Sequence, residues 1–319
     1  MAVSMAQGQR FGSLRAVAGA VAHTGWPQVL VEFGGGIGDQ LMCSAVFREL
    51  RRRGGQRLWM MSGQPNLFSH NPDVDALLPV DWRVSALLAR LGVRRLRPVY
   101  TQRNPENDSD DPPSPRHFIA QMCFLSSIVG EVALRPYLYL TEAERQAGAF
   151  AAGACVIQSS GMAARYPMRT KEWLPERFAE VAAALGKHQP IIQLGAPADP
   201  LLPGALDLRG KTTLRESAAI LSNARMFIGL AGLLMHMSRA VDCPAAIVYG
   251  GREDPAISGY SCNENLTTAV PCAPCWLWNT CTYEHRCMTG ITSADVLAAV
   301  ARLETRRGTA LVVDMVTLP

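Results

Sequence analysis

The chain has 319 residues, 48% of them hydrophobic and 18% charged, with a formal net charge of +4. That length holds two ordinary domains with their own cores. The modest charge argues against a dedicated nucleic-acid binder, and no apolar run reaches the roughly 20 residues of a membrane-spanning helix. Nine cysteines, five of them between Cys262 and Cys287, are an odd and unevenly spread set. They point away from a disulfide framework and toward a reducing compartment with a local cysteine site.

The first 26 residues carry Arg10, Arg15 and the short apolar stretch Ala16 to Ala22. A strand–turn–helix pattern follows at once, so this stretch reads as a leading helix or a frayed end rather than a secretory signal. Val29-Leu-Val-Glu-Phe33 is β-branched and apolar, as a strand requires. It runs into Gly34, Gly35, Gly36 and Gly38, then Asp39, then an apolar helical pattern from Gln40 to about Arg53. Glycines at such a turn let the backbone approach a ligand. The spacing is not that of a dinucleotide site: Gly34-x-Gly36 is followed by Ile37-Gly38-Asp39, and no acid follows a second strand at the expected place. Asp39 would either face a cleft at the head of a sheet or cap the helix through a backbone N–H. Arg48, Arg51, Arg52 and Arg53 suit the helix dipole and solubility as well as they suit an anionic partner.

Strands are predicted over Arg57–Met61, Leu77–Val80 and Arg95–Tyr100, with a helix over Val84–Leu91. Asn104 to Pro115, with four acids and four prolines, reads as a solvated loop or mobile flap rather than an element of the core. Arg116 to Glu131 is predicted helical, and Thr141-Glu-Ala-Glu144 has the form of a capping start. The pattern then restarts. Ala154–Gln158 is a strand ending at Ser159, Lys171 to Leu185 a helix, and Pro190–Leu194 a strand ending at Gly195. Thr212–Ala224 is a helix, Met226–Gly229 a strand, Leu233–Val241 a helix, and Ala245–Tyr249 a strand ending in Gly250-Gly251. Alternation in both halves predicts two parallel-sheet α/β domains. The expected division is 1–145, 146–305 including the cysteine run 272–288, and a tail 306–319. A ligand would lie in the crevice outside the carboxyl ends of the strands.

Gly36-Ile-Gly38-Asp39, Asn71-Pro72-Asp73, Lys171-Glu-Trp173, Gln193-Leu-Gly195, Leu208-Arg-Gly-Lys-Thr212 and Leu233-Leu-Met-His236, together with the final cysteine run, fall in one order over roughly residues 28 to 300. In that order they resemble glycosyltransferase family 9, the ADP-heptose-dependent heptosyltransferases of bacterial surface polysaccharide and, more distantly, of protein glycosylation. The resemblance implies the GT-B fold, two Rossmann-like domains facing a cleft, with the sugar nucleotide held mainly by the second. It implies that Asp39 is the general base and that Thr170 and Lys171 bind phosphate. Gly36, Gly38, Ser159, Ser160, Gly195, Gly232, Leu233 and His236 are the further donor-side candidates. Lys171 could equally be a solvated first-turn residue, and His236 a core one. In one place the chain departs from the family. Where its members carry Asp-Ser/Thr-Gly before Leu-Met-His, this sequence has Ala231, Gly232 and Leu233. That leaves a sugar nucleotide other than ADP-heptose open as donor. Glu253 and Asp254 are either a displaced carboxylate or a surface loop.

Cys272, Cys275, Cys281 and Cys287 have the spacing C-x2-C-x5-C-x5-C. Four thiolates so close can surround one structural metal ion, with zinc ahead of iron, since four protein ligands leave no open position. Two local disulfides or free thiols are the alternatives. Trp276, Trp278 and Tyr283 would cover such a knuckle or stack on a sugar, and His285 is a substitute ligand. The function expected is an inverting glycosyltransferase moving a sugar from a nucleotide diphosphate (ADP-sugar favoured) to a hydroxyl of a glycan, lipopolysaccharide or protein, with no cofactor for the chemistry. The alternatives are a non-catalytic sugar-nucleotide- or glycan-binding protein of the same fold, and a scaffold using the cysteine segment. No nucleic-acid partner is expected, and the oligomeric state stays open. The expected location is the bacterial cytoplasm, at most peripherally on the inner face of the membrane.

Overall fold

The computed structural model describes residues 14–33, 35–100 and 113–319. Residues 14–24 form helix α1, which packs Ala16, Val17, Ala20 and Val21 against Leu30, Trp59 and Met61. The leading-helix reading therefore holds from residue 14 onward; Arg10 and Gly34 lie outside the described residues, as does the predicted loop 104–115 up to residue 112.

The first half continues with β1 (Val29–Phe33), α2 (Ile37–Gly54), β2 (Leu58–Ser62), β3 (Ala76–Pro79), α3 (Trp82–Arg90), β4 (Arg94–Leu96), α4 (Phe118–Leu125), β5 (Gly130–Ala133) and α5 (Glu142–Ala147). The second half comprises β6 (Cys155–Ile157), α6 (Pro175–Leu185), β7 (Ile191–Gln193), β8 (Leu206–Asp207), α7 (Leu214–Asn223), β9 (Met226–Leu230), α8 (Leu233–Ala240), β10 (Ala245–Val248), α9 (Pro255–Ser258), β11 (Glu264–Leu266), α10 (Arg286–Thr289) and α11 (Ser293–Thr305), and the last strand is β12 (Met315–Leu318). A four-stranded sheet in the order β3-β2-β1-β4 and a six-stranded sheet in the order β11-β10-β9-β6-β7-β8 are both parallel. The inner strands β2, β6, β9 and β10 are buried along their whole length because helices cover both faces, whereas β4, β8 and β11 at the sheet edges carry charged or polar residues.

Threonine caps start three of the helices. Thr141 with Glu144, Thr213 with Glu216 and Thr292 with Asp295 each form a reciprocal capping box. One continuous apolar cluster joins the two halves. It takes Leu41, Ala45 and Phe47 from α2, Ile119 and Met122 from α4, Ala218 and Leu221 from α7, and Leu234 and Met237 from α8. The outer faces of the two sheets have separate cores, under α1 and α3 on one side and under α6 and α11 on the other.

Four local features depart from the sequence reading. The helix expected over Arg116–Glu131 stops at Leu125; Ser127 turns at φ 62° and the chain re-enters as β5. The helix expected from Lys171 starts at Pro175. Proline suits the first helical position and forces the residue before it to be extended, and Leu174 is extended accordingly. Lys171 sits instead in a separate 3-10 turn, Arg169–Lys171. The expected domain boundary at 145 falls inside α5. The expected tail 306–319 follows α11 and ends in β12, which crosses back to pair antiparallel with β5, Leu318 opposite Gly130. Leu318 is 3% exposed and belongs to the joint core, whereas Met315 is 50% exposed. Leu318→Ala should therefore cost about 2 kcal/mol or more in denaturant unfolding, with Met315→Ala within about 0.5 kcal/mol of the parent. Equal, negligible effects would mean that the C-terminal strand does not brace the fold.

Candidate active site

Gly36 is the N-cap of α2, and Asp39 is its third helical residue. A Cβ added to Gly36 would lie 2.7 Å from Asp39 Oδ2, so the carboxylate can fold back only over a glycine. A Cβ added to Gly38 would lie 3.2 Å from His236 Cδ2 and 3.4 Å from Leu233 Cα. That glycine thus lets the N-terminus of α2 abut the N-terminus of α8, whose cap is Gly232. Two helix starts, each with unpaired N–H groups and a positive dipole end, converge at the head of the cleft.

Asp39 does both things weighed for it. It accepts from the backbone of Gly36 in the manner of a cap, and it also faces the cleft. Tyr100 Oη donates to Asp39 Oδ1 at 3.1 Å. Burial pushes the Asp39 carboxyl up to about 6, and Glu253 adds to the rise; Tyr100, Lys171 and the Gly36 N–H work the other way without cancelling it. A carboxylate that titrates near neutrality is a competent proton acceptor.

Facing it from the second half is a buried ionic group. Lys171 Nζ pairs with Glu253 Oε1, and Arg252 Nη1 meets the same oxygen at 3.1 Å. Ser258 Oγ donates to Glu253 Oε2 at 2.5 Å. Burial alone would raise the Glu253 carboxyl, but the Lys171 and Arg252 charges outweigh it and hold the group ionised, near 2. Of the two acids considered as a displaced carboxylate, Glu253 is in the site. Asp254 instead caps α9, accepting from Ala256 N at 2.8 Å.

An aromatic run spans the cleft wall. Tyr100 stacks on Phe118 with ring centres 3.8 Å apart, Phe118 meets Trp276 edge-on at 6.0 Å, and the Arg252 guanidinium lies 4.4 Å over the Trp276 ring. The sequence reading did not single out Tyr100, Phe118 or Arg252 for the site. Only Arg252 carried a signal, as the start of a charged pair just after the glycine turn that ends a central strand.

Several donor-side candidates are already committed within the protein. Ser159 Oγ donates to the Pro200 carbonyl at 2.7 Å and accepts from Gln193, with no exposure. Ser160 Oγ donates to Glu172. Thr170 Oγ1 donates to the Leu277 carbonyl at 2.6 Å, joining its turn to the cysteine segment. Gly195, at φ 142°, leaves room for Asp199 rather than for a ligand, since a Cβ there would lie 2.2 Å from Asp199 Oδ2. His236 is 5% exposed and its Nδ1 bonds Tyr260 Oη at 2.7 Å. Burial lowers it to about 3, so it offers no positive charge to a phosphate. Gly36, Gly38, Lys171, Gly232 and Leu233 remain at the cleft.

All nine cysteines are free. Burial raises the Cys275 and Cys287 thiols, and the other cysteines of the run add to the rise. No three His, Cys, Asp or Glu side chains among the described residues converge so as to hold a metal ion. The expected zinc or iron knuckle therefore has no ligand shell in this conformation. The loop is fixed by backbone bonds instead, Cys275 N to the Gly251 carbonyl and Trp276 N to the Arg252 carbonyl, both 2.9 Å. Beside it, a groove of about 560 Å³ runs between Gly250–Pro255 and Thr267–Pro274.

The fold matches solved structures over most of its length. A glycosyltransferase family 9 protein from Veillonella parvula aligns with a TM-score of 0.66 at 16% identity, over 88% of this chain and 98% of that one. The E. coli ADP-heptose lipopolysaccharide heptosyltransferase II gives 0.66 at 16%, over 88% and 99%. The iron-containing dodecameric glycosyltransferase TibC from enterotoxigenic E. coli gives 0.67 at 17%, over 88% and 76%. No curated protein is significantly similar in sequence. The sequence profile described as glycosyltransferase family 9 (heptosyltransferase) matches residues 107–285, more than half of the chain. With two parallel α/β halves around one cleft, the chain belongs to glycosyltransferase family 9.

Proposed function

We propose that the protein is an inverting glycosyltransferase that moves a sugar, heptose being the leading candidate, from an ADP-sugar to a hydroxyl of a glycan, lipopolysaccharide or protein. The observation that carries this reading is the pairing of a near-neutral carboxylate on α2, Asp39, with a cationic group from the second half, Lys171, across one cleft. Asp39 takes the proton of the acceptor hydroxyl as its oxygen attacks the anomeric carbon. The sugar–phosphate bond breaks on the opposite face, and inversion follows because no second carboxylate acts as nucleophile. Glu253 is occupied by two cations and Ser258 and does not fill that role. Lys171 and the N–H groups at the start of α8 receive the departing diphosphate. TibC has been solved with ADP-D-β-D-heptose, which supports the choice of nucleotide. The buried Ala231 supplies no acid at that strand end, so the sugar is recognised by other groups. No helix among the described residues is long and apolar enough to cross a membrane. The proposed setting is a reducing compartment, which suits nine free thiols.

Asp39→Asn should lower kcat by roughly 10²–10⁴-fold with ADP affinity nearly unchanged; undiminished turnover would remove Asp39 from the base role. In the parent, kcat/KM should fall on the acid side with an apparent pKa near 6, as Asp39 protonates. Stability has the opposite sign. A folded value near 6 against 3.8 means that the native state holds this proton more tightly. The stability it confers is complete below pH 4 and lost as pH rises through 6. Asp39→Asn should thus stabilise the protein at pH 8 by up to about 3 kcal/mol, a gain that fades toward pH 4. Lys171→Gln should weaken ADP binding in calorimetry by roughly 10- to 100-fold through loss of a charged contact.

A further inference from the structure

The cleft holds a second cation besides Lys171. Arg252 is 2% exposed, its Nη1 reaches Glu253 Oε1 at 3.1 Å, and its Nε–H has no acceptor among the described residues. A buried donor without a partner is costly, and a ligand oxygen would satisfy it. The guanidinium is held in place from below. It lies 4.4 Å over the ring of Trp276, whose backbone is kept at φ 59° and whose N–H bonds the Arg252 carbonyl. A tryptophan in the left-handed region is strained and persists only where surrounding contacts over-determine it.

Glu253 uses its two oxygens differently. Oε1 receives both cations, while Oε2 is bound by Ser258, which in turn contacts Tyr249 Oη at 3.1 Å. The carboxylate can therefore give up its cations and stay anchored by the hydroxyl. Without an anion between them, two positive groups on one oxygen's perimeter would repel. The groove that reaches Glu253 past Gly250 and Gly251 gives a ligand a path to this point.

From these contacts we infer that Arg252 is a second binding residue for the donor's diphosphate and that Glu253 is a resident anion whose Oε1 a diphosphate oxygen replaces. This rests on the nucleotide-sugar reading above and deepens it. The exchange sets a planar guanidinium fork and an ammonium on the leaving group, a pairing suited to phosphate.

Calorimetry with ADP and with adenosine, on the full chain, tests this. Arg252→Gln leaves Glu253 paired to Lys171 and Ser258, so no buried charge is orphaned. It is expected to weaken ADP at least tenfold while adenosine affinity stays within twofold, and Arg252→Lys, which keeps the charge, is expected to recover most of the loss. Glu253→Gln, which removes the competing anion, is expected to tighten ADP several-fold. Unchanged ADP affinity in Arg252→Gln overturns the role of Arg252. Equal weakening of ADP and adenosine does the same, because it marks a prop for the cleft wall. Weaker ADP binding by Glu253→Gln overturns the exchange. If the parent protein binds neither probe, the nucleotide reading fails and this inference with it; if the parent binds ADP and the variants do not differ, only this inference fails.

Discussion

The close contact of α2 with α8 at Gly38 governs the rest of the molecule. A side chain there would push against His236 and the backbone of Leu233, and the two helix starts would separate. Both helices contribute to the same apolar cluster, so the distance between the halves is set by the packing of the core as well as by the site. A close-packed interior transmits such a displacement rather than absorbing it. The glycine that brings backbone near a ligand pocket therefore also fixes the spacing between the base on one half and the cations on the other.

Electrostatics in the cleft follow from that spacing. Asp39 is enclosed with one hydroxyl, one backbone N–H and a cation within electrostatic reach. Those contacts are too few to hold it fully ionised, and its proton affinity rises into the useful range. Glu253, the more deeply buried of the two, has two cations and a hydroxyl and is held ionised. Two carboxylates in one cleft are thus driven apart in acidity by the number of partners each has. The buried pairs on Glu253 are weak evidence for stability, since desolvation offsets much of their attraction. Their value is in keeping charge in place for a ligand.

The cysteine segment contributes through its aromatics and carbonyls. Carbonyls of Leu277 and Trp278 hold Thr170 and so the turn that carries Lys171. Trp276 supports Arg252 on one side and meets Phe118 on the other. Through Tyr100 that contact extends to Asp39. A segment whose spacing suggests an ion thus acts, in this conformation, as a strap that lines up groups from both halves.

Much of this was legible from the sequence, and the reasons are local. Strand–helix alternation, the capping start at Thr141 and the glycine turn before Asp39 are short-range patterns, each read within a few residues. Lys171 and the departure at Ala231 were recognisable because they stand at fixed places in a family order. What the tertiary structure alone decided depends on contacts between distant positions. It made Ser159, Thr170 and His236 internal hydrogen-bonding groups, put Glu253 at the centre of the cleft, and brought Tyr100 and Arg252 to the site. It also turned the expected tail into a strand of the other half. A residue type records what a side chain can do; which partner satisfies it is set by a fold that joins residues as far apart as Tyr100 and Trp276.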